Sequence, residues 1–109
     1  MNGTSTYLKD KFNSLADQWT EHCQSVFLSS NINDYLNHPT YNQLIALGKP
    51  AIPYIIERYK RDGLPWGFVL DDITGLRMIE DRQRFSPPQV KKRWLEWWEQ
   101  QGGEESLDN

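Results

Sequence analysis

Residues 38–48 read HPTYNQLIALG, residues 49–63 read KPAIPYIIERYKRDG, and residues 64–75 read LPWGFVLDDITG. Each segment opens with a proline at or near its first helical position and closes on a glycine. Proline suits a helix start, because its missing N–H would have no intrahelical partner there, and glycine suits the left-handed turn that ends a helix. The stretch therefore predicts three short helices in succession, and the rest of the chain is arranged around it.

Upstream, Leu8, Phe12, Leu15, Trp19, Cys23 and Val26 recur at steps of three and four, with Lys9, Lys11, Asp17, Gln18, Glu21 and Gln24 between them. That spacing keeps one apolar stripe on one helix face and predicts an amphipathic helix from about Ser5 to Leu28. Residues 29–34 (SSNIND) favour a turn, because their short polar side chains compete for backbone hydrogen bonds. Tyr35 and Leu36 then form one turn leading inward.

Within the central stretch, Tyr41, Leu44, Ile45 and Leu47 are expected to face the core, as are Ile52, Ile55, Ile56 and Tyr59. Pro53 is tolerated because it falls in the first turn after Pro50. Trp66, Val69, Leu70 and Ile73 give the third of these helices. A strand through Phe68-Val69-Leu70 is the alternative, since periodicity alone does not assign a short apolar run. Downstream, residues 76–85 (LRMIEDRQRF) break the pattern and read as an ordered connection, with Met78, Ile79 and Phe85 plugging into the core. Ser86 and Gln89 form a capping-box pair around Pro87 and Pro88. They announce a last helix to about Gln101, with Val90, Trp94, Leu95, Trp97 and Trp98 on or beside its inner face. Gly102 and Gly103 end it, and the acidic residues 102–109 are expected to form a disordered tail beyond a single helical domain, residues 1–101.

The formal charge of −3 arises from twelve basic and fifteen acidic residues, and the tail alone holds Glu104, Glu105 and Asp108. The body is balanced, which argues against a protein that binds nucleic acid mainly through its phosphates. Cys23 is the only cysteine, so an internal disulfide and a thiolate metal cluster are both excluded. The start of the chain shows no basic-then-apolar signal, and no long apolar run occurs. A cytoplasmic chain that does not span a membrane is expected.

The run Ala46-Leu47-Gly48-Lys49-Pro50-Ala51-Ile52-Pro53-Tyr54-Ile55-Ile56-Glu57 resembles the helix-turn-helix junction of HEAT-like repeats. A wider pattern runs from His38-Pro39 and Tyr41 through Ala51-Ile52-Pro53, Trp66 and Ile73-Thr74-Gly75 to the Trp94-Leu95-Glu96-Trp97 of the last helix. It is similar to a group of small bacterial all-helical proteins of uncharacterised function, over about residues 14–98. Where those proteins carry Trp-Phe-Trp-Ala-Leu, this chain has Trp66-Gly67-Phe68-Val69-Leu70, and the proline-valine that follows their Thr-Gly pair is absent. The resemblance implies an all-α fold, a compact bundle of about five helices with a HEAT-like helical pair at its centre. It carries over no catalytic residue.

Candidate chemistry is sparse. His22 and Cys23 are neighbours and diverge by about 100° on a helix, so they do not form a nucleophile–base pair. Cys23 also lies on the apolar stripe, where a free cysteine is usually core. His38 before Pro39 reads as a helix cap, with no second ligand at metal spacing. Asp71-Asp72 reads as a solvated face, paired with Arg77 or Arg58. No catalytic, cofactor-binding or metal-binding residue is assigned. The stretch 77–93 carries Arg77, Arg82, Arg84, Lys91, Lys92 and Arg93 against Glu80 and Asp81, next to three tryptophans in five residues. Arginine and tryptophan are enriched where proteins meet. Arg77, Arg82, Arg84, Lys91, Trp94 and Trp98 are therefore the expected partner-binding residues. The chain reads as a non-enzymatic interaction module, an adaptor or an inhibitor or antitoxin-like partner of another bacterial or phage protein, and self-association is compatible with this. A nucleic-acid accessory protein using the basic 77–93 segment is the alternative, and a small hydrolase using Asp71, Asp72 or His38 the weakest reading.

Overall fold

The first helix, α1 (Asn2–Ser25), is the longest element. Its 24 residues extend about 36 Å at 1.5 Å per residue, which accounts for most of the 42 Å long axis of the molecule. The computed structural model describes residues 2–29, 31–82 and 84–102. The expected acidic tail beyond Gly102 lies outside them. On α1, Phe12, Leu15, Trp19 and Cys23 are buried as their spacing predicts, and Ala16 joins them. The helix stops three residues earlier than expected, leaving residues 26–28 as a turn.

The segment after that turn forms a real but short helix, α2 (Ile32–Leu36), where only one inward turn is expected from the sequence. Five residues do not sustain a helix alone. Side-chain bonds pin it instead. Asn31 caps its start by accepting from the Asn33 N–H, the Trp19 indole N–H donates to the Tyr35 carbonyl at 2.8 Å, and the Tyr35 hydroxyl donates to the Phe27 carbonyl at 3.1 Å.

The punctuated stretch gives α3 (Pro39–Leu47), a 3₁₀ turn at Lys49–Ala51, α4 (Ile52–Arg61) and α5 (Trp66–Thr74). His38 caps α3 as expected, its Nδ1 accepting from the Thr40 N–H at 3.2 Å. His38→Ala removes this acceptor and is expected to cost about 1 kcal/mol, measurable as a shift in urea midpoint at unchanged slope. Pro50 is the second residue of the 3₁₀ turn, and α4 proper begins at Ile52 with Pro53 in its first turn.

The helix at Trp66–Thr74 decides the strand alternative, and its burial explains why the run was ambiguous. Trp66 to Asp71 are six consecutive buried residues. A helix enclosed on every side carries no polar stripe, so its period is erased. Gly67 is the point of closest approach. A Cβ there would lie 2.8 Å from Val90 Cγ1, 3.1 Å from Tyr59 Oη and 3.3 Å from Trp94 Cδ1, so only glycine admits α4 and the last helix this near. Gly75 ends α5 in the left-handed conformation (φ 74°), its N–H bonded to the Asp71 carbonyl.

The last helix, α6 (Pro87–Gln100), begins at Ser86 without the expected capping box. Pro87 and Pro88 remove the first two backbone donors, and the Ser86 side chain makes no capping bond to the remaining first-turn N–H of Gln89. All six helices feed one apolar cluster, and among the described residues there is no strand and no helix long and apolar enough to cross a membrane. The fold is a compact all-α bundle, with α5 at its centre.

Candidate functional site

The stretch from Arg77 to Trp98 enters the fold through a strained turn. Arg77 has a left-handed backbone (φ 55°), a conformation that costs a non-glycine residue about 1 kcal/mol or more. Just beyond it, the N–H groups of Met78 and Ile79 converge on the Asp71 carboxylate, at 2.6 and 3.1 Å. Asp71 is buried, so it is not part of a solvated face as its sequence context suggests. Burial pushes its carboxyl above the ordinary range, and the two backbone bonds only partly offset this. Asp71→Ala strands both donors and is expected to cost about 2 kcal/mol, with hydrogen exchange at Met78 and Ile79 accelerated more than elsewhere.

Asp72 points the other way. It accepts from Arg82 Nη2 at 2.8 Å and from the Tyr41 hydroxyl, whose single proton is shared with the Phe68 carbonyl. Its partner is thus Arg82 and not Arg77 or Arg58; Arg58 bonds Asp17 across to α1 at 2.6 Å. Two adjacent carboxylates held by separate partners share no proton and face no common substrate position.

The six expected contact residues do not converge on one patch. Trp94 and Trp98 are 0% and 5% exposed, so the expectation that they meet a partner is corrected: both pack in the core. Crowding among the three tryptophans is relieved by Trp97, which is only half-buried and sets its edge on Trp94 with ring centres 5.3 Å apart. Arg77 and Arg84 are exposed. Arg84 opens onto a cleft with Met78, Glu80 and Arg93, while Arg77 shares a depression with Asp72 and Glu80.

Arg82 and Lys91 come together elsewhere, on the walls of an open trough of about 730 Å³. One wall is Cys23 near the end of α1 and Phe27 in the turn after it, with Ile32 and Tyr35 of α2. The facing wall is Phe85, Pro87, Pro88 and Val90, and the floor is Gly67 and Phe68 of α5. The Arg82 guanidinium lies over the Phe68 ring at 5.1 Å. Lys91 Nζ donates to the Asp62 carbonyl at 3.3 Å and sits 5.8 Å from the Tyr59 ring centre. Among the described residues, no aspartate or glutamate lines the trough. At its rim, Phe27 is 67% exposed and the adjoining Leu28 86%.

Half of this site escapes sequence reasoning, because its two walls lie about sixty residues apart and only the second is in the basic stretch. The available signal is Phe27-Leu28, two large apolar residues off the stripe at the end of α1. Cys23 is buried within its wall, and desolvation pushes its thiol up to about 12. A thiol so held is no nucleophile at neutral pH. The two histidines stack with ring centres 4.4 Å apart. His22 Nε2 bonds the Asp34 carbonyl and His38 Nδ1 bonds Thr40, and the described residues contain no cluster of three metal-binding side chains.

Comparison of the chain with protein-family models, with curated proteins and with solved structures returns no match.

Proposed function

We propose that this chain is a non-enzymatic protein-interaction module of the bacterial cytoplasm whose contact surface is the trough between α1–α2 and the Phe85–Lys91 wall. The observation that carries the reading is an apolar trough rimmed by aromatic surface left in water. Exposed apolar residues scattered singly need no explanation, but a concave apolar site continued by Phe27 and Leu28 marks a docking surface. The side chains with chemical potential elsewhere are already engaged: Asp71 holds a turn, Asp72 holds Arg82 and Tyr41, and His38 caps α3.

Internal engagement also favours a protein partner over nucleic acid. Of the basic residues in the 77–93 stretch, Arg82 bonds Asp72, Lys91 bonds the Asp62 carbonyl and Arg93 bonds the Met78 carbonyl. Such groups are less free to neutralise phosphates. Phe27→Glu tests the reading, since Phe27 is exposed and the change spares the core. Affinity capture from the native host is expected to recover one stoichiometric protein with the wild type and to lose it with the variant, at unchanged far-ultraviolet circular dichroism. Equal recovery with both proteins, or recovery of none with the wild type, contradicts it.

A further inference from the structure

We infer that the occupant of the trough is an acidic amphipathic helix of the partner, its apolar face seated on Phe27, Ile32 and Phe85 and its carboxylates directed at Lys91. The inference rests on the trough being the interaction surface and names what binds there.

The backbone chemistry of the walls selects a helix. A strand-like peptide needs a sheet edge to satisfy its N–H and C=O groups, and the described residues contain no strand. The trough itself is lined by Pro65, Pro87 and Pro88, three residues with no N–H to offer. An extended peptide would find no row of backbone donors on such a surface. A helix satisfies its own backbone and presents only side chains. The open form of the trough fits the same occupant, because Phe27 extends the apolar surface out over the rim, beyond what an enclosed small molecule would cover.

Charge selects the sign. Among the described residues, the only charged ones lining the trough are Arg82 and Lys91, both cationic. Arg82 is paired with Asp72, whereas Lys91 Nζ has a backbone carbonyl and an aromatic face and no carboxylate among the described residues. A carboxylate brought to Lys91 gains a cation without displacing an existing ion pair. The α6 N-terminus, with its partial positive charge, opens onto the same wall through Pro87 and Pro88. A basic helix would meet these charges with nothing in the lining to offset them.

The test is selection of displayed random peptides, about four helical turns long, on the full-length protein with Phe27→Glu as counter-target. The expected winners place apolar residues at i, i+3, i+4 and i+7 and carry net negative charge. As free peptides they bind the wild type, lose affinity as salt is raised, and bind Phe27→Glu and Lys91→Glu at least about tenfold more weakly, the range of an interface hot spot. Winners that are neutral or basic, winners that bind Phe27→Glu as well as the wild type, or no winners at all overturn the inference. A dimer in sedimentation that dissociates on Phe27→Glu also overturns it, by making a second copy the occupant. Failure of the selection while Phe27-dependent capture from the host persists removes the acidic helix alone; loss of both removes the interaction reading.

Discussion

Trp66→Ala is expected to cost about 3–5 kcal/mol, the range for deleting a fully buried large aromatic. In a domain whose whole stability is on the order of 5–15 kcal/mol, that leaves a protein close to unfolding. The side chain is 0% exposed. It stands edge-on to Trp19 at 4.9 Å and tilted against Phe12 at 5.9 Å, and its indole N–H donates to Asp62 Oδ1 at 3.0 Å. That last bond also fixes the turn between α4 and α5, because the same oxygen accepts from the Leu64 N–H. Alanine would therefore open a cavity and loosen the turn together. Urea titration should show a much lower midpoint at an unchanged slope, since the surface exposed on unfolding is the same. Trp97→Ala, at a half-buried site, should cost markedly less. Equal losses at the two positions would show that the core is not centred on Trp66.

Raising the pH should unfold the protein steeply above about pH 10. Three buried acids keep their protons in the folded state. Burial pushes the Cys23 thiol up to about 12. Burial first, and the Asp72 carboxylate second, push the Tyr41 phenol far above its ordinary range, and burial does the same for Tyr59. In the unfolded chain these groups release protons near 9 for cysteine and 10 for tyrosine. A group whose folded pKa is raised contributes stability that is complete below its unfolded pKa and is lost as pH climbs toward the folded value. Each such proton costs about 1.4 kcal/mol per pH unit, so the three together approach about 4 kcal/mol per unit once all are engaged. Melting temperature should hold steady from neutral pH to about 9 on account of these groups and then collapse. Tyrosinate absorbance should rise together with loss of the helical signal. Reversible ionisation of every tyrosine in a protein that keeps its helices would contradict the burial of Tyr41 and Tyr59.

How much of this was legible in the sequence depended on whether a residue's role was local. The prolines and glycines of residues 38–75 act within a few bonds of themselves, and they placed α3, α4 and α5 within a few residues. The α1 stripe likewise foretold the burial of Phe12, Leu15, Trp19 and Cys23, and His38 was readable as a cap because its partner is two residues away. What stayed hidden was tertiary. The hydrogen bonds that hold α2 come from Trp19 and from a carbonyl at Phe27, so its own five residues do not announce it. Asp71 reads like its neighbour Asp72, and only the path of the chain through Arg77 turns one inward and leaves the other out. Trp94, Trp97 and Trp98 alternate between core and rim by a rotation that spacing alone leaves open. The basic stretch marks Arg82 and Lys91 for their charge, but the trough they line needs Phe27 and Tyr35 from a distant part of the sequence.

The trough is the proposed meeting point of this chain with another protein. The most direct measurement places a photo-crosslinking benzophenone side chain at position 27 of the full chain in its native host, with position 46 as control. Ala46 is exposed on α3, which contributes nothing to the trough. A covalent adduct with one protein from position 27, absent from position 46, is the predicted result. No adduct from position 27, or the same adducts from both positions, would contradict it.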